Sequence, residues 1–400
     1  MARAVVIGGG IGGLTAAAAL HQRGWKVTVL ERAAALEPVG AGISLAPNSQ
    51  RALDTIGVGD EIRDLAAWQG DGGLRTPSGR WLSRTSSKAA AERFGGTIVL
   101  LHRATLVETL RVRLPEGAVR TASAATLTDP GGPDRPAVVS TPGGAVEAEL
   151  VVGADGINSG VRRALFPAHP GPEYAGFTTW RVVVPAPARP FGSHETWGKG
   201  QLWGTHLMKD GRAYAYAAAR APEGGHAPDD EKAELQRRFG TWHHPVPDIL
   251  EAVRPDHVLR HDVHYMRQAL PAYHRGRTVL LGDAAHAMPP SLGQGGNQAI
   301  EDAVVLAHHA TPTADPGAAL ASYTRDRLPR TMDIVRKSAR TGRMTTLTSA
   351  PGVLLRNALI AGVNTLAPHL VLRGFDGIVD WRPPSEAGSP ATYAAEAERQ

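Results

Sequence analysis

The stretch "RAVVIGGGIGGLTAAAALHQRGWKVTVLER", residues 3–32, decides the fold. Ala4–Ile7 is a short apolar run rich in β-branched residues and reads as a buried strand. Gly8, Gly10 and Gly13 then form G-x-G-x-x-G. Leu14–Gln22 is alanine-rich and is closed by Gly24, the pattern of a helix and its stop. Trp25–Leu30 reads as a second strand that ends on Glu31, roughly 18 residues past Gly13. Each part has a physical task. Gly8 permits the tight turn, Gly10 lets backbone approach a pyrophosphate, and Gly13 lets helix and strand pack closely. The helix start offers free N–H groups and a positive dipole end to phosphates. Glu31 can accept hydrogen bonds from a ribose, and an acid there disfavours a 2′-phosphate on that ribose. The unit therefore predicts a dinucleotide on an α/β, Rossmann-like domain, without saying which dinucleotide.

The bulk numbers narrow the class. A chain of 400 residues, 42% hydrophobic and 20% charged, is an ordinary globular chain long enough for two domains. The net charge of +5 favours anionic ligands, but the basic residues are scattered, so nucleic acid is not expected as a partner. Cysteine is absent, which excludes disulfides, thiolate metal sites and Cys nucleophiles. Redox chemistry must then come from a cofactor. The N-terminus runs straight into a strand with no secretory pattern, and no apolar run reaches 18 residues. A cytoplasmic protein is expected. The apolar stretch 352–366 is interrupted by Arg356, Asn357 and Asn364, so membrane contact is not expected.

Further along, a Gly-rich loop that includes Gly42 precedes a helix from about Asn48, and 71–97 reads as an excursion. "TIVLLHRATLVETLRVRL" (97–114) is a strand and a helix with Arg103 at its start. Residues 117–150 read as short antiparallel strands. "GADGINSGVR" (153–162) is another strand–glycine–helix junction, with Asp155 in its loop. Residues 177–220 alternate strongly and predict an antiparallel sheet with one face over a pocket. Trp203 lies on one strand face and His206 on the other, while Tyr214 and Tyr216 share a face. "LLGDAAHAMPPSLGQGGNQAIEDA" (280–303) is a strand end, a rigid Pro/Gly loop and a helix start. Helices are expected over 230–239, 316–346 and 352–366.

The order of four signals carries a resemblance: G-x-G-x-x-G at 8–13, "HRATL" at 102–106, "GADGINSGVR" and "GDAAHAMPPSLGQGGNQAIEDA". It resembles the group A flavoprotein monooxygenases, the FAD-dependent hydroxylases related to para-hydroxybenzoate and salicylate hydroxylase. The likeness runs to about residue 345. It implies a discontinuous FAD domain (1–70, 98–176 and 275–345), an inserted α+β substrate domain built on an antiparallel sheet (71–97 and 177–274) and a C-terminal helical segment and tail (346–400). It assigns the ADP half of FAD to Gly8, Gly10, Ile11, Gly13, Glu31 and Arg32. Gly42 and Arg103 would join them, the latter facing the phosphate or ribityl region. Asp155 would lie near the pyrophosphate; an N-cap or ion-pair role is the alternative. Asp283 would bond the ribityl chain. Pro290, Gly293, Gly295, Gly296 and Asn297 would wrap the ring, with the following helix aimed at its pyrimidine side.

The implied chemistry starts with NADH or NADPH reducing FAD as a transient co-substrate. Reduced FAD and O2 then form a flavin hydroperoxide, which passes one oxygen atom to an aromatic or polyene small molecule by hydroxylation or epoxidation. Substrate contacts fall to Trp203, Tyr214 and Tyr216. Arg181 would meet the flavin edge or an anionic substrate, or pair with a carboxylate. His206 would serve as a base towards a phenol. No metal is expected. Glu301 and Asp302 are adjacent, diverge on a helix and lack a His at ligand spacing, and His286 reads as a packing residue. An oxidase, reductase or halogenase of the same fold is the alternative; a halogenase would carry a Trp-x-Trp-x-Ile-Pro segment, which is absent. An NAD-dependent dehydrogenase would leave 153–162 and 282–303 unexplained. No oligomeric state follows.

Overall fold

A computed structural model describes residues 2–36, 41–367 and 369–384. The expected tail thus lies outside the described residues from 385 onward. The opening unit forms as its sequence dictates: strand Arg3–Ile7, helix Ile11–Gln22 and strand Lys26–Leu30. Arg3–Ile7 is the centre of a six-stranded sheet, flanked in parallel by Leu150–Gly153 and Lys26–Leu30. Thr278–Leu280 adds in parallel beyond Leu150–Gly153, and Val119–Arg120 closes the other side. Registers align Ile7 with Gly153, and Gly153 with Leu280. Three loops far apart in sequence, after residues 7, 153 and 280, therefore leave the sheet side by side at its carboxyl end. Open α/β sheets bind ligands at that end.

The helix Ile11–Gln22 is buried along both faces, from Ile11 to Leu20. Its alanines let it lie between the sheet and the helix Gly295–His309. Gly12 sets that closeness: a Cβ there would stand 2.8 Å from Leu281 Cδ1 and 3.1 Å from Ala299 Cβ.

The second sheet has seven strands: Leu259–Tyr265, Glu173–Pro185, Arg212–Arg220, Gln201–Leu207, His194–Trp197, Gly72–Arg75 and Trp81–Thr85, in that spatial order. All neighbours are antiparallel except His194–Trp197 with Gly72–Arg75. The excursion 71–97 thus contributes two strands to this sheet. One face is covered by helices Glu231–Phe239 and Val246–Ala252, in a core of Trp180, Trp203, Leu235, Phe239, Trp242 and Ile249. The other face carries Tyr214, packed on Ala41 and Leu100 of the first domain. Within 117–150, three strands pair antiparallel as expected, but Val119–Arg120 joins the parallel sheet instead.

The helix Pro316–Thr345 returns along Gly295–His309, and Ala350–Leu366 packs on strand Trp81–Thr85. Arg356, which seemed to interrupt an apolar helix, is buried and donates to the carbonyls of Met344 and Gly198, each at 3.2 Å. Among the described residues, no helix is long and apolar enough to cross a membrane.

A histidine in the second sheet makes stability pH-dependent. His194 is 4% exposed, and its Nδ1 donates to the Gly192 carbonyl at 2.7 Å. Burial, opposed by that bond and reinforced by Arg75, holds its pKa at about 4. The unfolded ring titrates near 6.5, so the unfolded chain takes the proton first. Stability is complete above about pH 6.5 and falls as the pH drops towards 4, by up to about 3 kcal/mol from this residue. Urea unfolding at pH 7 and at pH 4.5 measures the loss, and His194→Phe should flatten it; an unchanged slope in the variant would contradict the assignment.

Candidate active site

The three sheet-end loops build one side of a cleft. Gly8 has φ +112°, and a Cβ there would lie 2.3 Å from the Ala154 carbonyl oxygen. A Cβ on Gly13 would sit 2.0 Å from the Gly8 carbonyl oxygen, so strand and helix touch through backbone alone. Gly10, in contrast, has nothing within 4 Å of its Cβ position. It caps the helix start with no side-chain bond, which leaves that turn's N–H groups open. Glu31 is tied in place, accepting from Gly9 N at 2.7 Å and Ala33 N at 2.8 Å. The Ile11 side chain is buried in the core, so only its backbone can meet a ligand, and Arg32 is exposed.

Asp155 accepts from Ser159 Oγ at 2.5 Å, Gly160 N at 2.7 Å and Val161 N at 3.1 Å. It takes up the first two N–H groups of the helix Gly160–Leu165 and holds Ser159, whose own hydroxyl is the N-cap, accepting from Arg162 N at 2.8 Å. Arg162 supports the same loop, donating to Ala284 O at 3.0 Å and Ile157 O at 2.7 Å. Asp155→Ala should cost about 1 kcal/mol in urea unfolding, on the scale of a lost helix-start acceptor; no loss would show that these bonds carry no stability.

Asp283 opens the short helix Asp283–His286 and is exposed. It faces Arg103, whose side chain has open surface yet lies deep among protein atoms, as befits a residue lining a concave wall. Burial lowers the Arg103 pKa, the Asp283 charge opposes that shift, and Arg181 adds to it. His261 joins this group: burial lowers its pKa, with Arg181 and Arg103 acting the same way. Arg103 and Arg181 make this part of the cleft electropositive and favour the neutral form of His261. Arg181 lies near the Tyr214 hydroxyl, and among the described residues no carboxylate forms an ion pair with it.

The Pro/Gly loop supplies the far edge. Pro290 starts a 3-10 turn and is exposed, and Gly293 follows at φ +62°. The helix Gly295–His309 begins with no side-chain cap, so the N–H groups around Gly295 and Gly296 point to the cleft unblocked. The Asn297 side chain has another task. Its Oδ1 accepts from Ala46 N at 2.9 Å, and its Nδ2 donates to Ser44 O at 3.0 Å and Gly293 O at 2.7 Å. It therefore locks the loop to strand Gly42–Leu45 and leaves only its backbone for a ligand.

Behind this edge lies a buried ion network that sequence reading missed. Asp302 accepts from Gly282 N at 2.9 Å, His286 Nε2 at 2.5 Å and Arg327 Nε at 2.7 Å. Glu301 accepts from Arg327 Nη1 at 2.6 Å and Arg330 Nε at 2.8 Å. Burial works against ionising Asp302, but His286 and Arg327 outweigh it and hold its pKa at about 2. The adjacent pair Glu301–Asp302 thus serves two arginines of the next helix.

Over the cleft stands the second sheet. Tyr214 presses on Gly42, where a Cβ would come within 2.7 Å of the ring; Gly42 is a domain contact. Tyr216 lies across Gly204, Tyr214 at 5.8 Å and His206 at 5.7 Å, the last nearly parallel. Trp203 is not among them. It is 1% exposed, lies tilted against Phe239 at 5.3 Å and donates to Thr205 Oγ1 at 2.8 Å, on the helix-covered face. His206 faces the cleft side, but burial, followed by His194, lowers its pKa to about 4. A ring that weakly basic cannot drive deprotonation of a phenol, so the base role falls away.

The open helix starts, the Gly10 gap and the cationic wall fit an anionic dinucleotide bearing a flat ring. The family model described as "FAD binding domain" matches residues 1–338. The chain belongs to this family. An aurachin C monooxygenase/isomerase from Stigmatella aurantiaca is 38% identical over 343 residues, covering 85% of this chain and 88% of the relative. A 3-amino-4-hydroxybenzoate 2-monooxygenase from Streptomyces platensis is 35% identical over 392 residues, covering 94% and 96%. The structure of Klebsiella pneumoniae HpxO complexed with FAD and uric acid matches at TM-score 0.85 and 28% identity, covering 94% and 96%. This FAD-dependent monooxygenase therefore shares both the cofactor domain and the overlying sheet with aromatic hydroxylases.

Proposed function

We propose that the enzyme takes reducing equivalents from NADH or NADPH, which binds transiently, and places one atom of O2 on an electron-rich aromatic molecule held between the cleft and the second sheet. The observation that supports this best is the meeting of Arg103, Asp283 and Arg181 with Tyr214 and Tyr216 around one cleft. FAD, when bound, supplies the redox and oxygen chemistry. The chain does the rest. The turns at Gly8 and Gly10 and the first helix would hold the FAD pyrophosphate, Glu31 its adenosine ribose, and Arg103 and Asp283 its middle. The N–H groups at Gly295 and Gly296, at the positive dipole end of their helix, would favour negative charge on the bound group. Tyr214 seals the sheet onto Gly42 and keeps water from the cleft, which protects the oxygen transfer.

In this reading 71–97 and 177–274 form the substrate domain, and the remaining segments up to 345 form the FAD domain. The protein works in the cytoplasm. The test is direct. The purified protein should be yellow and release FAD on denaturation, and a subset of aromatic compounds should accelerate NADH or NADPH oxidation with O2 uptake. A colourless protein from which no FAD is recovered would overturn the reading.

A further inference from the structure

Gln69 fixes the polarity of the pocket wall. Its Nε2 donates to the carbonyls of Ala67 at 3.0 Å and Leu207 at 3.2 Å, which settles the orientation of the amide. Gln69 Oε1 is then the acceptor for Ser193 Oγ and for His206 Nδ1, the latter at 3.3 Å. His206 accordingly carries its proton on Nδ1. Its Nε2 is a lone pair with no protein partner among the described residues. Burial keeps the ring neutral. Its orientation is fixed by the parallel stack on Tyr216, and that stack exists because Gly204 has no side chain: a Cβ there would fall 2.2 Å from Tyr216 Cζ.

The neighbouring groups exclude the opposite polarity. The Tyr216 hydroxyl donates to Glu195 Oε1 at 2.5 Å, and Glu195 Oε2 accepts from Trp197 Nε1 at 2.8 Å. A carboxylate thus stands at the hydroxyl end of the ring on which His206 stacks, whereas Arg181 lies two strands from His206, opposite Tyr216. A substrate anion placed at this end would meet a lone pair and a negative charge.

We propose that His206 is a specificity-determining residue whose Nε2 accepts a hydrogen bond from an O–H or N–H group of the aromatic substrate. The enzyme then takes a protonated phenol or an N–H heteroaromatic, in preference to a phenolate or an aromatic carboxylate. The inference rests on the monooxygenase reading.

Matched probes test it on the FAD-loaded enzyme at pH 7, with binding read from perturbation of the flavin absorbance. 2-Naphthol is compared with 2-methoxynaphthalene, indole with 1-methylindole, and 2-naphthoate serves as the anion. At least one donor probe should bind about tenfold tighter than its methylated partner, because a buried acceptor left unpaired is costly. In His206→Phe, which keeps the stack on Tyr216, that donor probe should weaken to the level of its methylated partner, while the methylated probe changes less than about twofold. Equal affinity within both pairs, no binding of either donor probe, tightest binding of 2-naphthoate, or equal weakening of all probes in the variant would each overturn the role. Failure of this kind leaves FAD content and aromatic-stimulated NADH or NADPH oxidation in place. Loss of those two properties in the wild type would instead count against the monooxygenase reading.

Discussion

Arg327→Ala will lower the melting temperature by about 10 °C, or prevent folding altogether. Arg327 is 1% exposed and lies between Glu301 and Asp302, both with 0% exposure. Removing the guanidinium leaves two carboxylates in the core with part of their compensation gone, and breaking such a buried set costs about 3–5 kcal/mol. In a chain of this size each kcal/mol shifts the midpoint by about 2–4 °C. Arg330→Ala is the control. Arg330 reaches Glu301 from the rim and also holds the Gly377 and Ile378 carbonyls at 2.6 and 2.8 Å. Its loss leaves Glu301 paired to Arg327 and should cost less than half as much. Thermal melts of the three proteins decide the point; a drop below about 2 °C for Arg327→Ala would show that the network carries little stability.

The second large effect is on the cofactor. Gly8→Ala puts a Cβ 2.3 Å from the Ala154 carbonyl oxygen, on a residue whose φ of +112° suits only glycine. Relief requires the loops after Ile7 and Gly153 to separate, and those loops set the spacing of the pyrophosphate site. We expect FAD affinity to fall at least about 100-fold, equivalent to some 3 kcal/mol. The variant should purify nearly colourless. Flavin fluorescence titration of the apoprotein measures it, and a variant that keeps one FAD per chain at unchanged affinity would contradict the account of this turn.

The parts of the molecule that could be read from sequence are those where chemistry is local. The turn at Gly8–Gly13, the acid at Glu31 and the Gly282–Gly296 loop are each set by residues a few positions apart, where glycine placement and strand–helix alternation leave few readings. Strand parity placed Trp203 opposite His206, and the structure keeps that alternation. Parity does not say which face is covered by helices, and that decides pocket from core. Trp203 went to the face under Glu231–Phe239 and Val246–Ala252. Asp155 illustrates another limit: a carboxylate just before a helix start reads equally as a ligand contact or as an acceptor for the helix, and the sequence does not show that it bonds Gly160 N at 2.7 Å. Gln69 and His261 were invisible because their partners come from strands over 100 residues away or from the cationic wall across the cleft, and Glu195 because its partner Tyr216 lies two strands over. Asp302 and Glu301 were read only for metal ligation, while their partners sit on the following helix, at Arg327 and Arg330.

Oxygen-18 supplied as O2, together with an aromatic compound that stimulates NADH or NADPH oxidation, separates oxygen transfer from simple oxidation. One labelled oxygen atom is expected in the product, and none when the label is supplied in water. An unlabelled oxidised product accompanied by hydrogen peroxide would make the protein an oxidase and contradict that transfer.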